Sequence, residues 1–212
     1  MHRIRSISLA SLVLSSVLVT IAGCASQPFA VAPDTSLLER APDMPPRRKV
    51  TVGLLIPSAY RQSDVKVVGD SGSYFPYRDI EAGYRQLLGN LFDGVFRLEA
   101  FDDAEAIRAA GVQYIVVPEL VTSSVSSHTL TGSSSVFTVE LTSKVRCPSG
   151  VLVANPQVIA RSTGETQESL LDKGAAGRRA MGEALAKAQK ALAGIELDAE
   201  GARSLCGARP GR

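Results

Sequence analysis

The chain has 212 residues, 45% of them hydrophobic, with 23 basic and 21 acidic side chains. Its length and apolar content suit one domain with a sizeable core. The near-neutral balance, without a basic run, gives no electrostatic reason to expect nucleic acid as a partner.

The chain opens on a leader. Arg3 and Arg5 precede an apolar stretch from Ile7 to Ile21, and small residues close it. Charged, apolar and small in that order is the pattern of a secretory signal peptide. The stretch is shorter than the ~20 residues a spanning helix needs. Residues 1–23 are therefore expected to be removed, and loss of the two arginines leaves basic and acidic side chains equal in number. Ile21-Ala22-Gly23-Cys24 resembles the bacterial lipobox. That resemblance implies cleavage before Cys24, then lipidation of its thiol and its new amino group. Ala25 follows; an aspartate there favours inner-membrane retention in enteric-type bacteria, so its absence implies the outer membrane, on the periplasmic face.

Residues 24–48 read as a tether holding Pro28, Pro33, Pro42, Pro45 and Pro46. Proline blocks regular hydrogen bonding, and a flexible coil of about 24 residues spans roughly 25–30 Å. The domain is expected over residues 49–193. Val50 to Pro57 is a short apolar run suited to a buried strand. Residues 58–75 read as a long loop, and long loops in compact domains are often functional. Ile80, Tyr84, Leu87, Leu88 and Leu91 mark one face of a helix over 77–92. Val95 to Phe101 alternates as a strand, Asp102 or Asp103 caps a short helix over 104–110, and Tyr114 to Pro118 is a second apolar strand. Residues 121–135 are rich in Ser and Thr. Val136 to Arg146 alternates cleanly, Pro148-Ser149-Gly150 is turn chemistry, and residues 151–161 return as an antiparallel partner. An Ala-rich helix closes the domain over 175–193. Residues 194–212 read as a tail, loose from Asp198 apart from Leu205-Cys206.

The predicted fold class is α/β (α+β): a single sheet of about five strands in the order β-α-β-α-β-β-β-α. An antiparallel hairpin forms the C-terminal half, and helices pack on the sheet.

Candidate chemistry is sparse. Gly69-Asp70-Ser71-Gly72-Ser73 looks like a protease serine loop, but a serine nucleophile needs a base in hydrogen-bond reach. His128 is the one histidine left once the leader is gone, and it sits among serines and threonines. The serine also lacks the strand-turn-helix setting of an α/β-hydrolase. Ser71 and His128 are thus expected to have no catalytic role, and no residue is assigned one. Asp102, Asp103 and Glu105 could bind a cation, but helix capping explains the aspartates. Cys147 and Cys206 form no CxxC motif and have too few partners for zinc. In an oxidising compartment the pair is expected to form a disulfide tying the tail to the hairpin. No metal and no cofactor are expected. A membrane barrel built from the 120–141 hairpin is disfavoured, because residues 122–135 offer only Val125 and Leu130 as large apolar residues.

The element order resembles a group of periplasmic α/β domains: the curli-secretion lipoprotein, exopolysaccharide-export lipoproteins and the amino-terminal domain of the Tol-system propeller protein. Val50 to Pro57, Tyr114 to Pro118 and Val136 to Arg146 carry the resemblance. It implies a non-enzymatic envelope component, an assembly, secretion or export accessory. Such a component works through contacts with envelope proteins or as a homo-oligomer, often a ring. The alternative is a periplasmic small-ligand or glycan-binding module using the 58–75 loop.

Overall fold

The computed structural model describes residues 28–40, 42, 44–68, 72–129, 132–165, 168 and 171–207. The leader, Cys24 and Ser71 lie outside these residues.

Strand β1 (Arg48–Leu55) is the centre of a parallel trio. Its Val50, Val52 and Leu54 face one side and Gly53 and Leu55 the other, so both faces are buried. A short helix α1 (Ser58–Arg61) follows, then a small antiparallel pair, β2 (Val65–Lys66) and β3 (Ser73–Tyr74). Helix α2 (Pro76–Leu91) starts with proline in its first turn, where no N–H is missed. It buries Ile80, Tyr84, Leu87, Leu88 and Leu91, and leads directly into β4 (Phe92–Leu98), parallel to β1. A six-residue helix, α3 (Ala104–Ala109), crosses back to β5 (Tyr114–Thr129), which pairs with the other edge of β1. The two helices lie on opposite faces. Those of α2 join Val50 and Val52 in the large core, whereas Ile107 joins Leu55, Leu98 and Ile115 in a smaller one.

The second half is antiparallel. Strand β5 pairs from Ile115 to Thr129 with β6 (Gly132–Arg146), and β6 also pairs with β7 (Leu152–Ala154) and β8 (Gln157–Gly164). The sheet therefore runs β4-β1-β5-β6-β7, with β8 beside β6. Helix α4 (Ala175–Ala193) packs beside α2 under this sheet, its Ala180, Ala184 and Ala188 allowing close approach. This is the mixed α/β architecture the sequence predicts, with one main sheet and no barrel.

Four local expectations need correction. Over its described part, the tether is a strap lying along α2 and α4. Val31 and Leu38 are fully buried, the Val31 N–H donates to Asp79 Oδ2 at 2.8 Å, and Asn90 donates to the Leu38 carbonyl. Its apolar residues fill a groove between two helices, and Thr35–Leu38 forms one 3-10 turn within it. At Gly177 a Cβ would lie 2.5 Å from Val31 Cγ1, and at Gly174 2.1 Å from the Ala30 carbonyl oxygen, so the strap needs glycine beneath it. Over its described residues the 58–75 loop is structured. Arg61 pairs with Glu81 and Glu99, and Val68 bridges to β5 through hydrogen bonds with Ser124 and Ser126. The returning strand is broken in two at Asn155-Pro156, since proline cannot donate to a ladder. The tail docks, with a short helix α5 (Ala199–Gly201) running into one wider turn, Ala202–Cys206. Leu197 and Ala202 are buried, and Tyr114 donates its hydroxyl to the Asp198 carbonyl at 3.1 Å.

Candidate interaction surface

The β4-to-β5 crossover is only one short helix, about 9 Å long. It covers the sheet no further than Ile115 and Val117, which pack in its small core. Beyond them, the outward face of β5, β6 and β8 has no helix over it among the described residues. Register sets its rows: Val121, Glu140 and Ile159 stand side by side, as do Ser123, Thr138 and Arg161. Val121 is 65% exposed and Ile159 57%, flanking Glu140. Glu140 accepts from Gln157, and Lys144 pairs with Glu119. The result is a mixed strip, with a carboxylate at its centre and an exposed apolar side chain on either side.

The inward face is tied down by phenols. Tyr84 donates to Ser143 Oγ at 2.5 Å, Tyr74 to Thr122 Oγ1 at 2.9 Å, and the Leu120 N–H donates to Tyr77 Oη at 2.9 Å. Burial raises all three phenol pKa values above the ordinary tyrosine range. These tyrosines brace the platform from below.

The edge strand β8 is guarded by α4. Lys187 Nζ donates to the Ile159 carbonyl at 2.8 Å and Arg179 Nη2 to the Thr163 carbonyl at 3.0 Å. The two cations are eight residues apart on a helix, about 12 Å. The two carbonyls are four residues apart on a strand, about 13 Å. The spacings match, so two lone-pair acceptors that could recruit another strand are occupied.

Among the described residues, several other charged groups pair internally, although Arg61 Nη2 is buried without a hydrogen-bond partner. Arg61, Glu81, Arg97 and Glu99 form one ion-pair cluster where β1 and β4 end. A cleft of about 880 Å³ is lined by Asp34, Glu168, Leu171, Asp172, Arg178 and Arg179, but its cations are taken by Asp172 and Glu168. Those hydrogen bonds hold both carboxyls below their ordinary pKa.

The residues singled out in the sequence scatter. Cys24 and Ser71 lie outside the described residues. The backbone of His128 pairs with Ser133 near the hairpin end. Asp103 caps α3 by accepting the Ala106 N–H at 3.0 Å. Among the described residues no group of three or more His, Cys, Asp and Glu gathers into a possible metal site. Cys147 and Cys206 are joined by a disulfide, with Cα atoms 5.2 Å apart. Sequence reasoning missed Val121, Ile159, Arg179 and Lys187. Ile159 had a signal, an isoleucine between Gln157 and Arg161 on the wet side of an alternating strand.

No model of a known protein family matches the chain, and no curated protein sequence matches it. Among solved structures it is similar to a homolog of neuraminyllactose-binding hemagglutinin from Helicobacter pylori. That match has 10% identity and a TM-score of 0.46, over 79% of this chain and 94% of the other. It is also similar to a minor lipoprotein from Acinetobacter baumannii, at 11% identity and TM-score 0.43, over 70% and 93% of the two chains. A hypothetical protein from Chlamydia trachomatis aligns at 10% identity and TM-score 0.37, over 66% of this chain and 96% of its own.

Proposed function

We propose that the protein is a non-enzymatic bacterial envelope lipoprotein, anchored through Cys24 on the periplasmic side of the outer membrane. It acts as an assembly, secretion or export accessory that holds a protein partner on the open face of β5, β6 and β8. The observation that carries the reading is the row Val121, Glu140, Ile159, two apolar side chains more than half exposed around one carboxylate on a braced, rigid sheet. Contiguous exposed apolar patches rimmed by polar residues mark interaction sites, and this reading takes Val121 and Ile159 as parts of one such patch. The anchor rests on the basic and apolar leader closing at Ile21-Ala22-Gly23-Cys24.

The test has two arms. Cys24→Ser is expected to leave the membrane fraction or stay unprocessed; unchanged processing and fractionation would remove the anchor. A photo-crosslinker at Val121 in intact cells is expected to trap one discrete envelope protein, and Ile159→Glu to abolish the product. Labelling no stronger than that from a crosslinker at Asp93 would sink the binding role.

A further inference from the structure

We infer that the β5–β6 hairpin around Ser127 and Ser134, with Val68 and Val125, rests against the lipid headgroups of the membrane that holds Cys24. The inference rests on the lipoprotein reading above and adds an orientation to it. The first observation is the shortness of the leash. Phe29 is already part of the fold: its N–H donates to the Ser73 carbonyl at 2.9 Å, and its ring packs on Tyr74 with centroids 5.6 Å apart. Five residue steps separate Cys24 from Phe29. Whatever path they take, they span at most about 18 Å. A lipidated Cys24 therefore brings the bilayer surface to within that distance of Phe29.

The second observation is what lies there. Tyr74, under Phe29, stacks on Phe137 at 5.0 Å and donates to Thr122, which places Phe29 beneath the Thr122 and Ser124 rows of the hairpin. From the row Ser124–Phe137 to the row Thr129–Gly132 the ladder continues for five residues, about 16 Å. The longest leash, about 18 Å, is thus similar in length to the ~16 Å of ladder beyond Phe29. The opposite end of the sheet, at Asp93, lies about 11 residues, roughly 36 Å, along the strands from the Thr122 and Ser124 rows, beyond the leash.

The third observation is chemical. Residues 120–139 contain no Asp, Glu, Lys or Arg, in a chain where 21% of residues are charged. The helix layer, also near the strap, carries Arg85 and Glu183. Of these two surfaces the hairpin is the uncharged one, with Arg161 on the neighbouring strand. Its end presents Ser127 and Ser134, hydrogen-bonded to each other at 2.9 Å, with Val68 66% exposed and Val125 50% exposed beside them. Hydroxyls with a few apolar side chains suit the headgroup boundary, not the hydrocarbon. The contact is a resting foot and not an insertion.

The experiment uses the full acylated chain in vesicles of phosphatidylethanolamine and phosphatidylglycerol, with its native disulfide intact. Single fluorophores are placed through Val125→Cys, Ser127→Cys, Arg85→Cys and Asp93→Cys, and the quencher is a nitroxide on the lipid headgroup. Quenching at 125 and 127 is expected to exceed that at 85 and 93 on the order of fivefold, because contact is limited to a headgroup zone of about 5–10 Å. A Gly/Ser insertion before Phe29 is expected to bring the four positions to similar quenching. Uniform quenching without the insertion, or strongest quenching at 85, overturns the orientation. Labels at 125 and 127 that ignore lipid but become shielded on adding an envelope extract give the surface to a protein and also overturn it. Mass of the N-terminal peptide separates the causes. An unacylated Cys24 overturns the lipoprotein reading as well; an acylated one with uniform quenching overturns the orientation alone.

Discussion

Asp79, in the first turn of α2, accepts the backbone N–H of Val31 at 2.8 Å across 48 residues of chain, and the contact is buried. It pins the start of the strap at the same end of the molecule where β5 and β6 project. Asp79→Ala leaves a buried N–H without its acceptor, at a cost of about 1–3 kcal/mol. The expected outcome is a lower urea midpoint together with new proteolytic cleavage between residues 28 and 40. An unchanged midpoint with no new cleavage would show that the apolar contacts of Val31 and Leu38 hold the strap alone.

Tyr84 sets an alkaline limit. In the unfolded chain a phenol loses its proton near pH 10. In the fold, burial raises the Tyr84 pKa well above that, so the proton stays on longer. The native state then binds more protons than the unfolded one above pH 10. Stability is intact below pH 10 and falls as pH rises through it, by about 1.4 kcal/mol per pH unit for one such tyrosine. Urea unfolding at pH 8, 10 and 11 should show the decline, and Tyr84→Phe should lessen it, leaving the share of Tyr74 and Tyr77, while costing stability at pH 8 through the orphaned Ser143 hydroxyl. A variant with the same slope as the parent would put the alkaline sensitivity elsewhere.

Reduction of Cys147–Cys206 is expected to release the tail. Closing a loop of 59 residues stabilises by about 4 kcal/mol in the chain-entropy model, an upper figure. The tail also buries Leu197 and Ala202, so it should loosen without unfolding the sheet. Hydrogen exchange after reduction should accelerate over residues 195–206 and leave β5 and β6 protected. Uniform acceleration across the domain would mean that the bridge supports the whole core.

Removing the guards of β8 should make the protein stick to itself. Arg179→Ala with Lys187→Ala frees the carbonyls of Thr163 and Ile159, two acceptors on an edge strand. Sedimentation of the double variant is expected to show concentration-dependent association absent from the parent. A monomer at every concentration would mean that the remaining side chains suffice to protect the edge.

Much of the architecture was legible from local pattern. The periodicity of Ile80 to Leu91 and the Ala-rich run 175–193 located both long helices because amphipathic spacing is a local property. The alternation of Val136 to Arg146 marked a strand with one buried face for the same reason. The leader and Ile21-Ala22-Gly23-Cys24 depend on order along the chain alone. What tertiary structure decided was where weakly patterned segments lie. Nothing in Phe29, Val31 and Leu38 announces a groove, since the groove exists only once α2 and α4 are side by side. The described parts of residues 58–75 and of the tail are likewise held by partners remote in sequence: Glu81, Glu99, Tyr114 and Cys147. The open face around Val121 and Ile159 arises because α3 is too short to cover three neighbouring strands. That is a relation between elements, and no single stretch of residues encodes it.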